Sequence, residues 1–275
     1  MTTLVWVDGS VVPADQARVS ALDHGITVGD GVFETLRVYR SRPFALRRHL
    51  DRLARSAAGL GLVLPDRGVL EEAATSVVAA AGHPEARLRL TVTGGPGPLG
   101  SGRDASPPTV IAAVAPHEPF PPTTDVAVVP WARNERGALA GLKTTSYGEN
   151  VVALAHAAER GAGEAVFANT RGELCEGTGS NVVVGRGGRL VTPPLSSGCL
   201  AGITRELVME LVDVEETRLS VDDLAGADEA FLTSSTRELQ PIAHVDGRAL
   251  RSAPGPLTSA AMSAFARLVA ADPDP

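Results

Sequence analysis

The 275-residue chain contains almost no lysine: Lys143 is the single lysine, and the other 24 of the 25 basic residues are arginines. Arginine replaces lysine wherever only a positive charge is needed. However, it keeps its proton at neutral pH and forms no Schiff base with an aldehyde or ketone. The one retained primary amine therefore indicates covalent carbonyl chemistry at Lys143, unless it is the chance survivor of an arginine-rich chain.

Cysteine and long apolar runs are also scarce. The two cysteines, Cys175 and Cys199, cannot form a disulfide framework, so a reducing cytoplasm is the simplest location. No apolar run approaches the roughly 20 residues of a membrane span, and the N-terminus lacks the pattern of an export signal. A net charge of −7 argues against binding to nucleic acid or to an acidic membrane surface.

No metal site or dinucleotide site is expected. The six histidines are scattered, without His-x-x-x-His spacing, and the cysteines lack Cys-x-x-Cys spacing. The run Gly-Gly-Pro-Gly-Pro at 94–98 is not a dinucleotide fingerprint, because its prolines prevent the helix that should follow. The chemistry must therefore be sought around Lys143.

Apolar periodicity predicts a mixed α+β fold, since helices and strands do not alternate regularly. Strands are predicted at 4–7, 10–12, 32–39, 87–93, 109–115, 126–129, 164–168, 181–184, 189–191 and 229–233. Helices are predicted at 44–62, 68–81, 149–160, 202–212 and 257–270, and residues 272–275 are expected to fray.

A proline-rich stretch predicts the domain organisation. Residues 1–115 are expected to form a small N-terminal α+β domain, and residues 116–124 an interdomain linker. Residues 125–275 are then the larger C-terminal domain, which carries Lys143. A Schiff-base lysine that serves pyridoxal 5'-phosphate (PLP) needs an acid for the pyridine nitrogen and a phosphate cup.

An acidic residue in a glycine-rich turn is a candidate for the acid. Residues 173–181 read Glu-Leu-Cys-Glu-Gly-Thr-Gly-Ser-Asn before a predicted strand, and Glu176 is the predicted partner of the pyridine nitrogen. Glu173 competes with it, although its Arg-Gly-Glu setting indicates an exposed turn. Taken alone, Glu176 would be interpreted as a solvated turn residue.

A helix start offers groups for a phosphate. Gly202 precedes Ile203 and Thr204 in the first turn of a predicted helix, where free N–H groups and the helix dipole bind phosphate. Thr204 could instead be only an N-cap.

Hydroxyls and one arginine supply further candidates for phosphate contacts. Ser234 and Ser235 lie within Thr-Ser-Ser-Thr at the end of a predicted strand. Arg52 lies off the apolar stripe of helix 44–62, so it is a candidate phosphate contact or an exposed helix charge.

With the single lysine, these segments resemble the fold-type IV PLP enzymes. That family includes branched-chain and D-amino-acid aminotransferases, (R)-amine transaminases and 4-amino-4-deoxychorismate lyases. The resemblance implies a two-domain α+β fold of the D-amino-acid aminotransferase type. The matching segments keep the family's order and spacing, and they are 24–34, 49–53, 142–143, 175–181, 200–205 and 227–235.

The resemblance also implies residue roles and partners. Lys143 would bind the cofactor covalently and move the proton, and Glu176 would pair with the pyridine nitrogen. An amino donor and a 2-oxo acid would be the substrates, and a homodimer with sites at its interface is implied. The phosphate would be held by Arg52, by Ile203 and Thr204 through their N–H groups, and by Ser235 with Ser234 beside it.

Positions that address the substrate depart from the family patterns. The tyrosine of typical D-amino-acid transaminases is Phe33, and the arginine of their Thr-Arg-Gly carboxylate trap is Gly94. The typical lyase also carries arginine where Gly94 stands, and the Gly-Gly-Asn-Tyr run of branched-chain enzymes reads Thr-Thr-Ser-Tyr at 144–147. Arg89 and Arg136 are candidates for binding a carboxylate instead.

The expected function is therefore a transaminase that uses D-amino acids, and also (R)-amines, with pyruvate or 2-oxoglutarate as acceptor. The short chain and its Val-Thr-Gly-Gly segment lie closer to D-transaminases and lyases. The alternative is an aminodeoxychorismate lyase that forms 4-aminobenzoate and pyruvate for folate synthesis. A branched-chain aminotransferase and a PLP-binding protein without activity are less favoured.

Overall fold

The computed structural model describes residues 3–275, and they form two compact units. The first unit comprises the chain up to Glu118 together with Leu142–Tyr147 and Ala271–Pro275. The second comprises Pro119–Gly141 and Gly148–Ala270. The boundary at Glu118 lies inside the segment predicted as a linker. The segment with Lys143 groups with the first unit, although the predicted boundaries include it in the second domain.

The first unit is built on an antiparallel sheet with the strand order β2-β1-β6-β5-β3-β4. Two long helices, α2 and α3, cover one face of this sheet. The elements are β1 (Leu4–Val7), β2 (Ser10–Pro13), α1 (His24–Thr27), β3 (Gly31–Tyr39), β4 (Arg42–Pro43), α2 (Leu46–Leu60), α3 (Arg67–Ala81), β5 (Glu85–Thr93) and β6 (Thr109–Pro116).

Alternation along β3 determines which side chains face the core. Val32, Leu36 and Val38 are fully buried and pack in one cluster with Leu50 and Leu53 of α2. The intervening residues of β3 point to the opposite face of the sheet. Glu34 lies on the same face of β3 as these core residues. Its charged side chain therefore points towards α2, although the strand around it is apolar.

Helix α2 starts later than the sequence predicts, because Ala45 has a left-handed backbone with φ 53°. The side chain of its N-cap residue, Ala45, forms no cap hydrogen bond. Instead, the N–H of Ala45 donates to the Pro273 carbonyl at 2.9 Å, and the N–H of Arg47 donates to Asp274 Oδ1 at 3.0 Å. The prediction that residues 272–275 fray is wrong, since these residues satisfy the N-terminus of α2.

The second unit is built on a mixed sheet with the order β12-β11-β10-β13-β14-β7-β8-β9, and β15 pairs with β14. Its parallel pairs are β11–β12, β14–β7 and β7–β8. The elements are β7 (Thr124–Val128), α4 (Gly148–Ala158), β8 (Glu164–Ala168), β9 (Leu174–Gly177), β10 (Asn181–Arg186), β11 (Arg189–Thr192), a 3-10 turn (Leu195–Ser197), α5 (Ile203–Leu211), β12 (Val214–Glu216), α6 (Val221–Ala225), β13 (Glu229–Ser234), β14 (Glu238–Val245), β15 (Arg248–Ala249) and α7 (Pro256–Ala271).

The predicted elements are confirmed with shifted ends, but one eight-residue strand and several short elements were not predicted. Strands β4, β9, β12, β14 and β15 and helices α1 and α6 escaped prediction. One of these differences affects the site, because Glu176 lies on strand β9 and not in the predicted turn. It pairs across the ladder with Phe167 of β8, and the turn follows at 178–180. No helix in residues 3–275 is long and apolar enough to cross a membrane.

A buried carboxylate caps the last helix. Glu229 is 3% exposed and accepts hydrogen bonds from the N–H groups of Leu257 at 3.2 Å and Thr258 at 2.7 Å, in the first turn of α7. These donors have no partner within the helix, so the carboxylate replaces an ordinary N-cap.

Glu229→Ala should therefore lower the free energy of unfolding by about 1–3 kcal/mol, because two buried N–H groups lose their acceptor. Urea titration followed by circular dichroism measures the change. Glu229→Gln keeps an acceptor oxygen and should lose less, and Glu215→Ala on exposed β12 is the matched control. Equal losses for Glu229→Ala and Glu215→Ala would show that the cap contributes nothing.

Candidate active site

Lys143 lies on an extended segment that is hydrogen-bonded within the first unit. Its carbonyl accepts the N–H of Phe33 at 3.1 Å, and its own N–H donates to Ser56 Oγ of α2 at 3.1 Å. Two residues further on, the N–H of Thr145 donates to the Gly31 carbonyl at 2.8 Å. The backbone that carries the amine is therefore fixed against both β3 and α2.

Two cations lie over one aromatic ring beside this segment. Lys143 Nζ lies 4.4 Å from the centroid of the Phe33 ring, and Arg89 Cζ lies 3.7 Å from it. The ring of Tyr147 meets Phe33 edge-on at 5.2 Å. Such cation–π contacts hold a cation without neutralising it. The first unit thus brings the predicted residues Phe33 and Arg89 together with Lys143.

Arg89 has no carboxylate partner in the part of the chain that the structure describes. Its guanidinium makes neither a hydrogen bond nor an ion pair with residues 3–275, and the residue is exposed. Although the residue as a whole is exposed, protein atoms partly desolvate its guanidinium and so lower the pKa of Arg89, and the nearby Tyr147 opposes this effect. Arg89 nevertheless stays charged at neutral pH, so it presents an unneutralised cation.

A buried charge cluster connects β3 and α2. Glu34 is completely buried, and Arg52 and His49 are 5% and 1% exposed. Arg52 donates to Glu34 through Nε at 2.8 Å and through Nη2 at 2.6 Å, and His49 Nδ1 lies 2.6 Å from Glu34 Oε2. Arg52 is therefore not the exposed helix charge that its position off the apolar stripe would allow. Its guanidinium has one orientation, fixed by a bidentate pair.

The protonation states within this cluster follow from burial and neighbouring charge. Burial raises the pKa of Glu34, but the charge of Arg52 and the hydrogen bonds from Arg52 and His49 outweigh this effect, so the pKa lies below its ordinary value. Burial also lowers the pKa of His49, as do the charges of Arg52 and Lys143, although Glu34 opposes them. His49 is thus neutral and donates its Nδ1–H to the ionised Glu34.

In the second unit, Glu176 is tied to the turn that precedes α5. Glu176 Oε2 accepts the N–H of Leu200 at 2.9 Å, and Asn181 Nδ2 donates to the carbonyl of Leu200 at 2.8 Å. A Cβ on Gly202 would collide with the side-chain oxygen of Asn181. Position 202 therefore has to be glycine for the turn to pack this closely.

Helix α5 starts without a side-chain cap. Gly202 is the N-cap residue, and within residues 3–275 this helix start has no side-chain cap hydrogen bond. Ile203 and Thr204 are the first two helical residues and are 2% and 4% exposed. Thr204 is therefore not the N-cap. Open N–H groups at the positive end of a helix suit an anion such as a phosphate.

The remaining predicted residues lie at other places in the second unit. Ser234 ends strand β13, where its Oγ accepts the N–H of Arg237 at 3.1 Å, and Ser235 follows directly; both are partly exposed. Arg136 is exposed in the loop after β7, where its backbone N–H donates to Asn134 Oδ1. The side chain of Arg136 contacts no carboxylate in the described residues.

Glu173, the competing acid, belongs to a separate ion network. Its carboxylate lies 2.8 Å from Arg171 Nη2 and accepts a hydrogen bond from Asn169 Nδ2 at 2.9 Å. The hydrogen bonds from Arg171 and Asn169 hold the pKa of Glu173 below its usual value. These contacts fix the turn between β8 and β9, so Glu173 already has a structural role.

Three residues of these clusters were not predicted from the sequence. Glu34 could have been found, because it interrupts an apolar strand at a core-facing position, and His49 lies three residues before Arg52 on the same helix face. Arg133, whose Nε lies 3.4 Å from Glu176 Oε1, gave no such signal. Within residues 3–275, no group of three or more His, Cys, Asp or Glu residues is arranged to hold a metal ion.

Comparison with known proteins identifies the family. The profile of the family Amino-transferase class IV matches residues 31–245. A putative branched-chain-amino-acid aminotransferase from Methanocaldococcus jannaschii is 31% identical over 258 residues, which cover 90% of each chain. A D-alanine aminotransferase from Bacillus licheniformis is 32% identical over 273 residues, which cover 95% of each chain.

A solved structure agrees with this result. The branched-chain aminotransferase of the thermophilic archaeon Thermoproteus uzoniensis, solved with norvaline, superposes with a TM-score of 0.87 at 32% sequence identity. The match covers 98% of this chain and 95% of the other.

The chain belongs to the class IV aminotransferases. It is a PLP-dependent enzyme that takes an amino donor and a 2-oxo acid as substrates, and the predicted α+β fold of type IV is confirmed. Bound PLP supplies an aldehyde that receives the amino group and a ring that stores electrons. The residues fit this cofactor, since a single lysine amine, a largely buried carboxylate and a helix start without a side-chain cap are all present.

Glu34→Gln should lower the free energy of unfolding by about 3–5 kcal/mol near pH 7, because it leaves the buried charge of Arg52 uncompensated. Urea denaturation measures the loss. Glu71→Gln is the matched control, since Glu71 pairs with Arg67 at an exposed site and should cost less than about 1 kcal/mol.

The pH dependence of stability tests the same cluster. The folded-state pKa values of Glu34 and His49 lie below their ordinary values of 4.5 and 6.5, so the unfolded chain takes up protons first on acidification. Their stabilisation is complete above about pH 6.5 and is lost as the pH falls. Glu34→Gln should show a shallower acid loss than the parent chain, and an unchanged slope would contradict the assigned protonation states.

Proposed function

We propose that the protein transfers an amino group from D-amino acids, and from (R)-amines, to a 2-oxo acid such as pyruvate or 2-oxoglutarate. The observation that carries this proposal is the guanidinium of Arg89, which lies on the same Phe33 ring as the amine of Lys143 and has no carboxylate partner in the described residues. A substrate carboxylate would supply that partner.

An amino acid and a 2-oxo acid share the group that a transaminase must recognise in both halves of its cycle. Both carry a carboxylate next to the reacting carbon, so a transaminase needs a cation that accepts this carboxylate in each half of its cycle. The planar guanidinium of Arg89 offers a bidentate fork, and Phe33 restrains it face-on at 3.7 Å. Because the fork is already oriented, little side-chain entropy is lost when a carboxylate binds.

Position 94 is closed to the arginine that serves this purpose in typical D-amino-acid transaminases. A Cβ built on Gly94 would lie 2.5 Å from Asp30 Oδ2. Asp30 is itself fixed, since Arg103 donates to Oδ2 through Nε at 2.7 Å and to Oδ1 through Nη2 at 2.5 Å. The cation must therefore come from elsewhere. Arg89 is preferred to Arg136, because it shares a ring with Lys143.

The cofactor contacts belong to the same proposal. Lys143 would bind PLP covalently and transfer the proton, with Glu176 at the pyridine nitrogen. The phosphate would be held by Arg52, by the N–H groups of Ile203 and Thr204, and by Ser234 and Ser235. A homodimer with its sites at the subunit interface, and a cytoplasmic location, complete the proposal.

Branched-chain L-amino acids are the second candidate donors. The relative from M. jannaschii and the superposed structure from Thermoproteus uzoniensis both carry the name of branched-chain aminotransferases, which favours this substrate class. Aminodeoxychorismate lyase activity is a third candidate, suggested by the resemblance of the sequence and by a relative that carries this name. The three candidates differ in donor handedness and in whether the cofactor is left in its amine form.

Borohydride reduction should attach PLP to Lys143, because the chain has no other lysine. Mass spectrometry of the digested protein should find the cofactor on the peptide that contains this residue. Lys143→Ala should lose the absorbance of the bound aldehyde form together with turnover. The control is Lys143→Arg, which keeps the charge but cannot react. Undiminished turnover by Lys143→Ala would exclude the assignment.

The donor is tested by single-turnover mixing with D-alanine, L-alanine and L-leucine. D-Alanine should convert the cofactor from the aldehyde to the amine form fastest, and pyruvate should restore it. Faster conversion by L-leucine would support the branched-chain candidate. Consumption of aminodeoxychorismate without any conversion by D-amino acids would support the lyase.

Arg89→Gln should raise the KM for D-alanine about tenfold or more, because a charge-assisted pair with the carboxylate is lost. An (R)-arylalkylamine has no carboxylate, so its turnover should hardly change. Arg136→Gln is the matched control and should leave both substrates unaffected. If Arg136→Gln alone raises the KM for D-alanine, the carboxylate is bound there instead.

A further inference from the structure

A guanidinium lies against the carboxylate that the proposed function assigns to the pyridine nitrogen. Arg133 Nε is 3.4 Å from Glu176 Oε1, and the two side chains are 17% and 14% exposed. The Nε–H of Arg133 forms no hydrogen bond, although the two groups meet the distance of an ion pair. Arg133 therefore acts on Glu176 mainly through its charge.

Backbone pairing brings the two residues together. The N–H of Arg133 donates to the carbonyl of Ala168 at 2.8 Å, next to the end of β8. The guanidinium lies over the ring of Phe167 at 4.1 Å, and Phe167 is the ladder partner of Glu176 on β9. The guanidinium of Arg133 therefore lies over the ring of Phe167 and also next to the carboxylate of Glu176, the residue with which Phe167 pairs in the sheet.

A second set of bonds fixes the guanidinium. Arg133 Nη2 donates to Asn150 Oδ1 at 2.6 Å, and Asn150 Nδ2 donates to the carbonyl of Thr178 at 2.9 Å. Asn150 is only 7% exposed, and Thr178 stands two residues after Glu176. Arg133, Asn150 and the start of the 178–180 turn therefore form a closed circuit around the acid. The remaining contact, with Glu149 at 3.2 Å, lies at the surface, where Glu149 is 74% exposed.

The charge matters because a carboxylate and a pyridine nitrogen can share one proton in two ways. The proton on nitrogen gives a charged pair, whereas the proton on the carboxylate gives a neutral pair. Burial favours the neutral pair, since it desolvates no charge. A cation next to the carboxylate favours its ionised form and so restores the charged pair. Without a neighbouring cation, the degree of burial of Glu176 alone would determine whether the charged or the neutral pair is favoured.

We propose that Arg133 is a positioning residue that keeps the Glu176 carboxylate ionised and oriented, so that the proton shared with bound PLP stays on the pyridine nitrogen. This inference rests on the proposed function, which places Glu176 at that nitrogen. Under this inference, Glu176 keeps the pyridine nitrogen protonated only when the cation of Arg133 is fixed next to its carboxylate. The other oxygen of Glu176 is held by the N–H of Leu200, so charge and orientation have separate sources.

The test is the nitrogen-15 chemical shift of labelled PLP in the full-length holoenzyme, which distinguishes a protonated from an unprotonated pyridine. The parent enzyme should give the protonated signal. Arg133→Met keeps the aliphatic stem over Phe167 but removes the charge, and it should move the signal towards the unprotonated value. The donor half-reaction should slow by about tenfold or more, as expected when a proton is misplaced.

Arg133→Lys and Glu149→Gln are the matched controls. The first keeps a cation and the second removes only the exposed partner, so both should keep the protonated signal. Arg133→Gln is a second neutral variant. It is used if Arg133→Met does not retain PLP or has a lowered melting temperature. Protonated nitrogen in the neutral variant that retains PLP would overturn the role of Arg133.

Glu176→Gln separates this inference from the proposal beneath it. If Glu176→Gln loses the nitrogen proton while both neutral variants of Arg133 keep it, the acid is assigned correctly and Arg133 is not its partner. If Glu176→Gln keeps the proton, the acid itself is wrongly assigned and the inference falls with it.

Discussion

The first unit depends on the fully buried carboxylate of Glu34. Glu34 could not remain ionised in an apolar interior without compensation, and Arg52 and His49 supply three contacts of 2.6–2.8 Å. These contacts fix how α2 lies on β3. Ser56 follows Arg52 by about one turn of the same helix and accepts the N–H of Lys143. The pairing that stabilises the core therefore also positions the backbone of Lys143.

In the second unit, the backbone groups of a single residue, Leu200, hold Glu176 and Asn181 in place. The N–H of Leu200 is bonded to Glu176 and its carbonyl to Asn181, so a strand-borne acid and the start of α5 are held by the same residue. Gly202 permits the close approach, because any Cβ there would meet Asn181. A carboxylate and an open helix start, which suit a pyridine nitrogen and a phosphate, are thus held in one fixed relation. Arg133 then adds charge to an acid whose position is already determined.

The resemblance of several segments, together with the lone lysine, allowed the family and the cofactor to be predicted, and apolar periodicity, which is a local signal, allowed most long elements to be predicted. The features that escaped depend on partners distant in sequence. Strand β9 has only four residues and is ordered by its pairing with β8, so Glu176 looked like a turn residue. Arg52 is buried because Glu34, on another element, neutralises it. Arg133 shows no periodic pattern at all, since its role arises from a ring and a carboxylate that the sheet brings to it.

The ion pair between Arg103 and Asp30 restricts which residue position 94 can hold. Arg103 grips Asp30 with two bonds and also donates to the carbonyls of Leu60 and Gly61 at the end of α2. The same hydrogen bond from Arg103 holds the pKa of Asp30 below its ordinary value, so the aspartate stays ionised and in place. Asp30 in turn leaves no room for a side chain at position 94. Because this clamp organises both the loop and a helix end, an arginine at position 94 would have to break it. The cation proposed to bind a substrate carboxylate is therefore Arg89, which is already oriented on Phe33 beside the lysine.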